Sequence, residues 1–305
     1  MMIAEINNKQ KSGSVTDQSP VVDNRGSALI ITLLLITILV GLVVNFVYEV
    51  YMDSSAVSNW SNAQRASYIA KSGQNIAVSF IKQVKLYPPT NIREIALPVA
   101  IDFGPASSLA VMVEDENSKF NLNKLTDDKS VDSLKKLFEY LKINPDLALL
   151  IADWRDPDSD PRTSESEDLA KNGEFWSIDE LKLIKGIDNE VFAKISPYVT
   201  ATSNWFGWKV NINTADLPVL FIMDDQMTIT LAESIIDYRK DTPFETVEQV
   251  QNISGLEKIG INFIGKSDVR SENYRVTTRA VVNDVTRVIE SIVDTSSRIY
   301  FWREI

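Results

Sequence analysis

The chain has 305 residues, with 31 lysines and arginines against 42 aspartates and glutamates, a net charge of −11, and neither cysteine nor histidine. Those two absences remove thiol nucleophiles, Ser-His-Asp triads, imidazole-bound metals and disulfides, and the acidic balance argues against a broad nucleic-acid footprint. Carboxylate chemistry stays open, either as acid–base pairs or as oxygen ligands for hard cations.

Ala28 to Val47 is a run of 20 residues without a charge. That length crosses a hydrocarbon core of about 30 Å. Arg25 precedes the run, and Glu49 and Asp53 follow it. The positive-inside tendency puts the N-terminus in the cytoplasm and the remainder on the far side. Lys9, Lys11 and Arg25 balance Glu5, Asp17 and Asp23, so the whole negative charge belongs beyond the membrane. Three readings compete. A cleaved secretory signal needs a shorter run and a small-residue cleavage site, and Val43 to Val47 offers neither. A plain signal anchor fits the physics.

The third reading is a processed junction. Arg25-Gly26 followed by Ser27-Ala28-Leu29-Ile30-Ile31-Thr32 resembles the junction of type IV prepilins and type II secretion pseudopilins. The resemblance implies a leader over 1–26, cleavage after Gly26 by a prepilin peptidase, and methylation of the new N-terminus at Ser27. Most members carry glutamate at the fifth mature position; this chain has Ile31. An apolar residue there is similar to the minor pseudopilin K family.

Apolar residues recur at three- and four-residue spacing through Val57, Trp60, Tyr68, Ile69, Ile76, Phe80, Ile81 and Val84, until Pro88-Pro89 stops them. The spacing predicts one helix over 28–86, on the order of 90 Å long. Membrane helix and stem together occupy 27–87. A long stem entering a globular head is the shape of pilins, although an anchor plus a buried helix gives the same spacing.

The head is expected to begin over 88–120, with a strand at 109–113. Lys119-Phe-Asn-Leu-Asn123 then resembles a Lys-x-Asn-Leu-Asn signature of the K family. Leu134, Leu137, Phe138 and Leu141 share one helical face, and Asn144-Pro145-Asp146 opens a second helix. Between 153 and 168 stand seven acids and two arginines, a local net of −5. Like charges this close need a counter-charge, and Ca²⁺ accepts six to eight oxygens in flexible geometry. From composition alone a solvated acidic loop is the favoured reading. The Asp-Trp-x-Asp-x-Asp pattern at 153–158 is similar to the K family, and that resemblance implies calcium, with Asp153, Asp156, Asp158, Asp160, Glu167 and Asp168 as candidate ligands.

Residues 175–187 and 244–256 form a repeat: each has a phenylalanine, a Ser177 or Thr246 at an N-cap position, a helical phrase, then Gly186 or Gly255. This is helix-hairpin-helix grammar, and Asn211-Ile-Asn-Thr-Ala215 adds the phrase that precedes it in DNA receptors. DNA-binding hairpins present glycine amides and cations to phosphates. Here Asp188, Glu190 and Glu257 surround those positions, which favours packing over nucleic acid. Strands are expected at 274–282, 285–293 and 299–303, with Asn283-Asp284 as a turn.

The expected fold is therefore α+β: a transmembrane helix and stem, and a pilin-like antiparallel sheet completed by 273–305. A helical insert over 121–272, containing helix-hairpin-helix-like repeats, interrupts the sheet. The resemblance implies a non-enzymatic tip subunit of a type II secretion pseudopilus in the inner membrane, partnered by other minor pseudopilins and the major pseudopilin. A membrane-anchored DNA receptor, a type IV pilus minor pilin and a membrane-anchored hydrolase are the alternatives. The last needs two carboxylates in a cleft, and Asp156 with Asp158 on one loop makes a poor acid–base pair.

Overall fold

The computed structural model describes residues 25–305 apart from 165, 167–169 and 205–206, and divides the chain into units of 1–58 and 59–305. Helix α1 (Arg25–Val84) supplies all that is described of the first unit. Its most apolar window has a mean hydropathy of 2.9 with no residue buried, long and apolar enough to cross a membrane.

In the second unit the C-terminal part of α1 lies on a five-stranded antiparallel sheet. The strands are β1 (Glu94–Leu97), β2 (Ser107–Asp115), β7 (Asn273–Val282), β8 (Val285–Asp294) and β9 (Ile299–Glu304), in the order β1-β2-β7-β8-β9. The helix face against the sheet is built from small residues. Ala66, Ala70 and Ala77 are fully buried, and a Cβ on Gly73 would stand 3.0 Å from Leu109 and Thr278 side chains. Small residues let the helix axis approach, and Gln74 uses that closeness. Its amide donates to the carbonyls of Val276 and Ile289 at 3.3 and 3.0 Å and accepts from Ser291 at 2.6 Å. Of the large residues expected as apolar contacts, Ile69 and Ile81 are buried beside these, whereas Trp60 and Tyr68 are about two-thirds exposed. Periodicity finds a face but does not say whether its large or its small residues meet the sheet.

β2 and β7 are neighbours in space, paired from Ser107↔Val282 to Asp115↔Tyr274. Everything from 116 to 272 departs and returns at one edge of that pair. The interposed segment holds β3 (Phe120–Asn121), α2 (Asp128–Tyr140), α3 (Leu147–Arg155), α4 (Asn189–Ile195) and β4 (Val199–Thr200). After these come β5 (Val210–Asn211), α5 (Leu217–Phe221), α6 (Ile229–Asp241) and β6 (Ser267–Asp268). β3 pairs with β4 in parallel, and β5 with β6 likewise. Two apolar cores follow: one is drawn from 122–201 with Ile222 added and is centred on Phe138, Ile151 and Phe175, and one lies inside 210–269, centred on Ile212, Phe244 and Phe263.

Candidate functional site

The two cores belong to two copies of one unit. In the first, the Asn123 amide donates to the Phe175 carbonyl at 3.0 Å and accepts from the Phe175 N–H at 2.7 Å. In the second, Asn213 makes the same pair with Phe244 at 2.9 and 2.8 Å. Asn121 and Asn211 each accept from the amide two residues on, at 3.0 Å. Trp154 stacks on Phe175 with centroids 6.5 Å apart, and Tyr238 on Phe244 at 4.8 Å. Gly186 and Gly255 share φ values of +90° and +89°, and a Cβ on either would lie 2.9 Å from a leucine methyl, of Leu147 or Leu231. The left-handed φ is what favours glycine at both places. The repeat visible at 175–187 and 244–256 is the second half of this duplication. Asn-x-Asn at 121–123 and 211–213 is its first half, a signal present in the sequence but split by unequal spacing. The expected hairpin helices are short 3₁₀ turns, Ile178–Leu183 and Val247–Asn252.

Charge joins the copies to the sheet. Glu116 is fully buried and accepts from Arg275 of β7 at 2.6 and 3.0 Å, from Lys119 at 3.2 Å and from the Thr200 hydroxyl at 2.5 Å. Burial alone would raise its pKa; the charges of Arg275 and Lys119 outweigh that and hold it down to about 2. Next to it, burial pushes the Asp115 carboxyl up, against hydrogen bonds from Ser271, Thr214 and Asn211. Arg93, just before β1, reaches Glu114 at 3.1 Å, the Pro197 carbonyl at 3.0 Å and Asp216, so it touches both copies. Arg303 of β9 bridges Glu290 and Asp179, each at 2.6 Å.

The acidic loop is where the copies differ. Asp153 is fully buried at the end of α3. One oxygen accepts from the Arg162 guanidinium at 2.5 Å; the other accepts from the Arg162 amide at 2.9 Å and from the Ser166 hydroxyl. Asp156 Oδ2 also meets Arg162, while its Oδ1 is buried without a hydrogen bond. Asp158 accepts from the Asp160 amide at 2.9 Å, and both residues are exposed. Glu167 and Asp168 lie outside the described residues. Thus Arg162 supplies the counter-charge that the sequence demands, and Asp153 and Asp156 hold its pKa raised although burial opposes this. Among the described residues no three acids stand close enough to hold a metal ion. Of the six candidate calcium ligands, the structure brings Asp153 and Asp156 together on Arg162 and leaves Asp158 and Asp160 exposed.

At the hairpins, the Gly255 amide donates to Glu257 at 3.0 Å, and Asp188 accepts from the Val191 amide at 2.8 Å as the cap of α4. Carboxylates of the chain itself occupy positions where a DNA-binding hairpin would offer donors to phosphate. At the other end of the chain, Gly26, Ser27 and Ile31 lie in the first turns of α1, with Ile31 exposed and open space around the Gly26 Cα.

Among the described residues, one helix long and apolar enough to cross a membrane precedes an antiparallel sheet interrupted by a duplicated helical insert, the build of an α+β pilin-like protein. The family model described as type II secretion system (T2SS), protein K matches residues 118–204, and a second of the same description matches 210–267. The two matched segments are the two copies. Type II secretion system protein K of Pectobacterium carotovorum subsp. carotovorum is 21% identical over 296 residues, covering 85% of this chain and 89% of the relative. The crystal structure of the GspK-GspI-GspJ complex from the enterotoxigenic Escherichia coli type 2 secretion system contains a chain of similar fold. Its TM-score is 0.66 at 17% identity, covering 82% of this chain and 99% of that one. The insert thus consists of type II secretion system protein K domains, of the minor pseudopilin family that the junction resembles.

Proposed function

We propose that this chain caps the tip of a type II secretion pseudopilus, helps initiate its assembly and so supports protein export across the outer membrane. The observation behind this reading is the pairing of Ile31 with the 116–272 insert. A mature glutamate would pair with the N-terminal amine of a neighbouring subunit; a subunit lacking it, and carrying a bulky duplicated insert, suits the end of a filament. Cleavage after Gly26 by a prepilin peptidase frees Ser27, which is then methylated. The apolar span sits in the inner membrane with the N-terminus cytoplasmic and the sheet-bearing unit periplasmic. Other minor pseudopilins and the major pseudopilin are the partners, and the solved relative's complex with GspI and GspJ supports the first of these. The function is structural rather than enzymatic, and no nucleic acid takes part, in keeping with the carboxylates at the hairpins.

Ile31→Glu tests the reading. Fewer tip complexes and impaired secretion are expected; unchanged assembly overturns the positional meaning of Ile31. N-terminal sequencing of membrane-purified protein should begin at Ser27, and an intact Met1 leaves only a signal anchor.

Calcium in the 153–168 loop belongs to the same proposal in a narrower form. The ion would take Asp153 and Asp156 in competition with Arg162, with Glu167 and Asp168 as further oxygens. Ca²⁺ should then raise the melting temperature, and raise it more in Arg162→Gln, because a ligand of the folded state alone stabilises it. A flat response in both proteins sinks the metal.

A further inference from the structure

Between the two copies lies a cavity of about 250 Å³ that neither the sheet nor the acidic loop reaches. Its walls are mainly apolar, with Trp208, Val219 and Ile222 among them, and three lysines line it: Lys124, Lys129 and Lys266. In a chain of net charge −11 this is an unusual concentration of positive charge. The partners these lysines have are neutral. Lys124 donates to the Trp208 carbonyl at 2.8 Å and Lys266 to the Met223 carbonyl at 3.4 Å. None of the three forms an ion pair among the described residues. Asp127 lines the cavity too, but its carboxylate is engaged in capping α2 through the Ser130 amide at 2.8 Å. The N-terminal turn of α2 adds its own positive end to the same space. Burial lowers the Lys124 pKa first and the Lys266 charge lowers it further, while the Asp127 charge opposes them.

An apolar chamber with a small number of convergent polar groups is the usual form of a small-ligand site. Here the charged groups are three lysines against one carboxylate, Asp127, which caps α2. We propose that this cavity binds an apolar carboxylate, with its tail against Trp208, Val219 and Ile222 and its carboxylate between Lys124 and Lys266, with Lys129 contributing at the entrance. Two sources share that chemistry: a free aliphatic acid, or the C-terminal carboxylate of a peptide with apolar last residues. The site lies at the junction of the copies, so its occupant would tie one copy to the other.

The test is calorimetric titration of the full chain in lipid nanodiscs, with empty discs subtracted. The probes are hexanoate, hexanol, and the peptide acetyl-Ala-Leu-Val as free acid and as amide. Hexanoate should bind at least tenfold more tightly than hexanol, and more weakly as salt is raised. The peptide acid should exceed its amide by a similar factor. Whichever acid binds more tightly by tenfold identifies the source. Lys266→Gln should cut carboxylate affinity about tenfold without lowering the melting temperature, and Lys129→Gln, at an exposed position, should cut it less. Equal binding of hexanoate and hexanol overturns the proposal, as does full affinity in Lys266→Gln.

Discussion

Asp153 and Asp237 occupy the same place in the two copies of the insert, one residue before the aromatic that stacks on the copy's phenylalanine. Their fates are opposite. Asp237 is exposed and pairs with Lys240 at 2.6 Å, whereas Asp153 is fully buried and clasped by Arg162. The cause is loop length. Six positions separate Tyr238 from Phe244, but 21 separate Trp154 from Phe175, and the additional residues are the acidic loop. The second copy shows that the unit folds without that loop. The loop is therefore an addition to a complete scaffold, which makes it a place for function rather than for stability. The copies also differ in how the sheet holds them. The first is gripped by ion pairs, fully buried Glu116 with the mostly buried Arg275 and Arg303 with Asp179; the second is held by hydrogen bonds from Asn211 and Thr214 to buried Asp115 and by the ion pair of Arg93 with a half-exposed Asp216.

That contrast can be broken experimentally, and the largest effect is expected at the buried grip. Arg275→Met strands a buried carboxylate and should cost about 3–5 kcal/mol in urea unfolding, whereas Asp216→Asn should cost about 1 kcal/mol or less. Equal costs would mean the two copies are held alike.

The acid slope of stability comes next. The folded pKa of Glu116, about 2, lies below its ordinary 4.5. Its contribution is therefore complete above pH 4.5 and disappears as the pH falls towards 2. The difference corresponds to about 3 kcal/mol. Asp115, raised by burial, works in the opposite sense and gains stability as it protonates. Glu116→Gln should flatten the melting-temperature profile in that window; an unchanged slope would place acid sensitivity elsewhere.

Asn123→Ala and Asn213→Ala probe the equivalence of the copies directly. Each leaves a buried phenylalanine amide and carbonyl unpaired, at about 2 kcal/mol, with Asn213 somewhat costlier through its additional bond to the Val269 carbonyl at 3.0 Å. A large gap between the two would show that only one core is cooperative with the sheet. The smallest effect should come from replacing 156–174 with the four residues that link Tyr238-Arg239 to Phe244 in the second copy. Folding should survive with a change of about 1 kcal/mol or less, and any calcium-dependent shift in melting should vanish. Loss of the fold would return the loop to the scaffold.

Much of this fold was legible in the sequence because its signals are local. Strand alternation in 274–282 and 285–293, the Asn283-Asp284 turn and the apolar run all lie within a few residues of each other. The first half of the duplication was not legible, since Asn121-Leu-Asn123 and Asn211-Ile-Asn213 stand 90 positions apart while the phenylalanine phrases stand 69 apart. No single offset aligns both. The acidic loop was legible as a charge problem, but its solution by Arg162 needed three dimensions. Charge density says that a cation is required; it does not say whether the chain itself supplies one. Glu116 gave no signal at all, because a buried ion pair between residues 116 and 275 leaves no trace in spacing.

The pairing of Asp115 with Tyr274 has a consequence for how the protein comes to be folded. It joins residues 159 apart in the chain, and a closure over that distance is slow if the intervening chain is loose. Contacts inside each copy are shorter in range, and each copy ends where it began, on a parallel pair of two-residue strands. Copies that fold first draw positions 116 and 272 together, so that β2 and β7 meet almost as the arms of a hairpin do. The insert is then a folding clamp for the sheet as well as its cargo. Pulse-labelled hydrogen exchange should show Phe175 and Phe244 amides protected before those of Val111 and Val276, and the reverse order would remove the clamp.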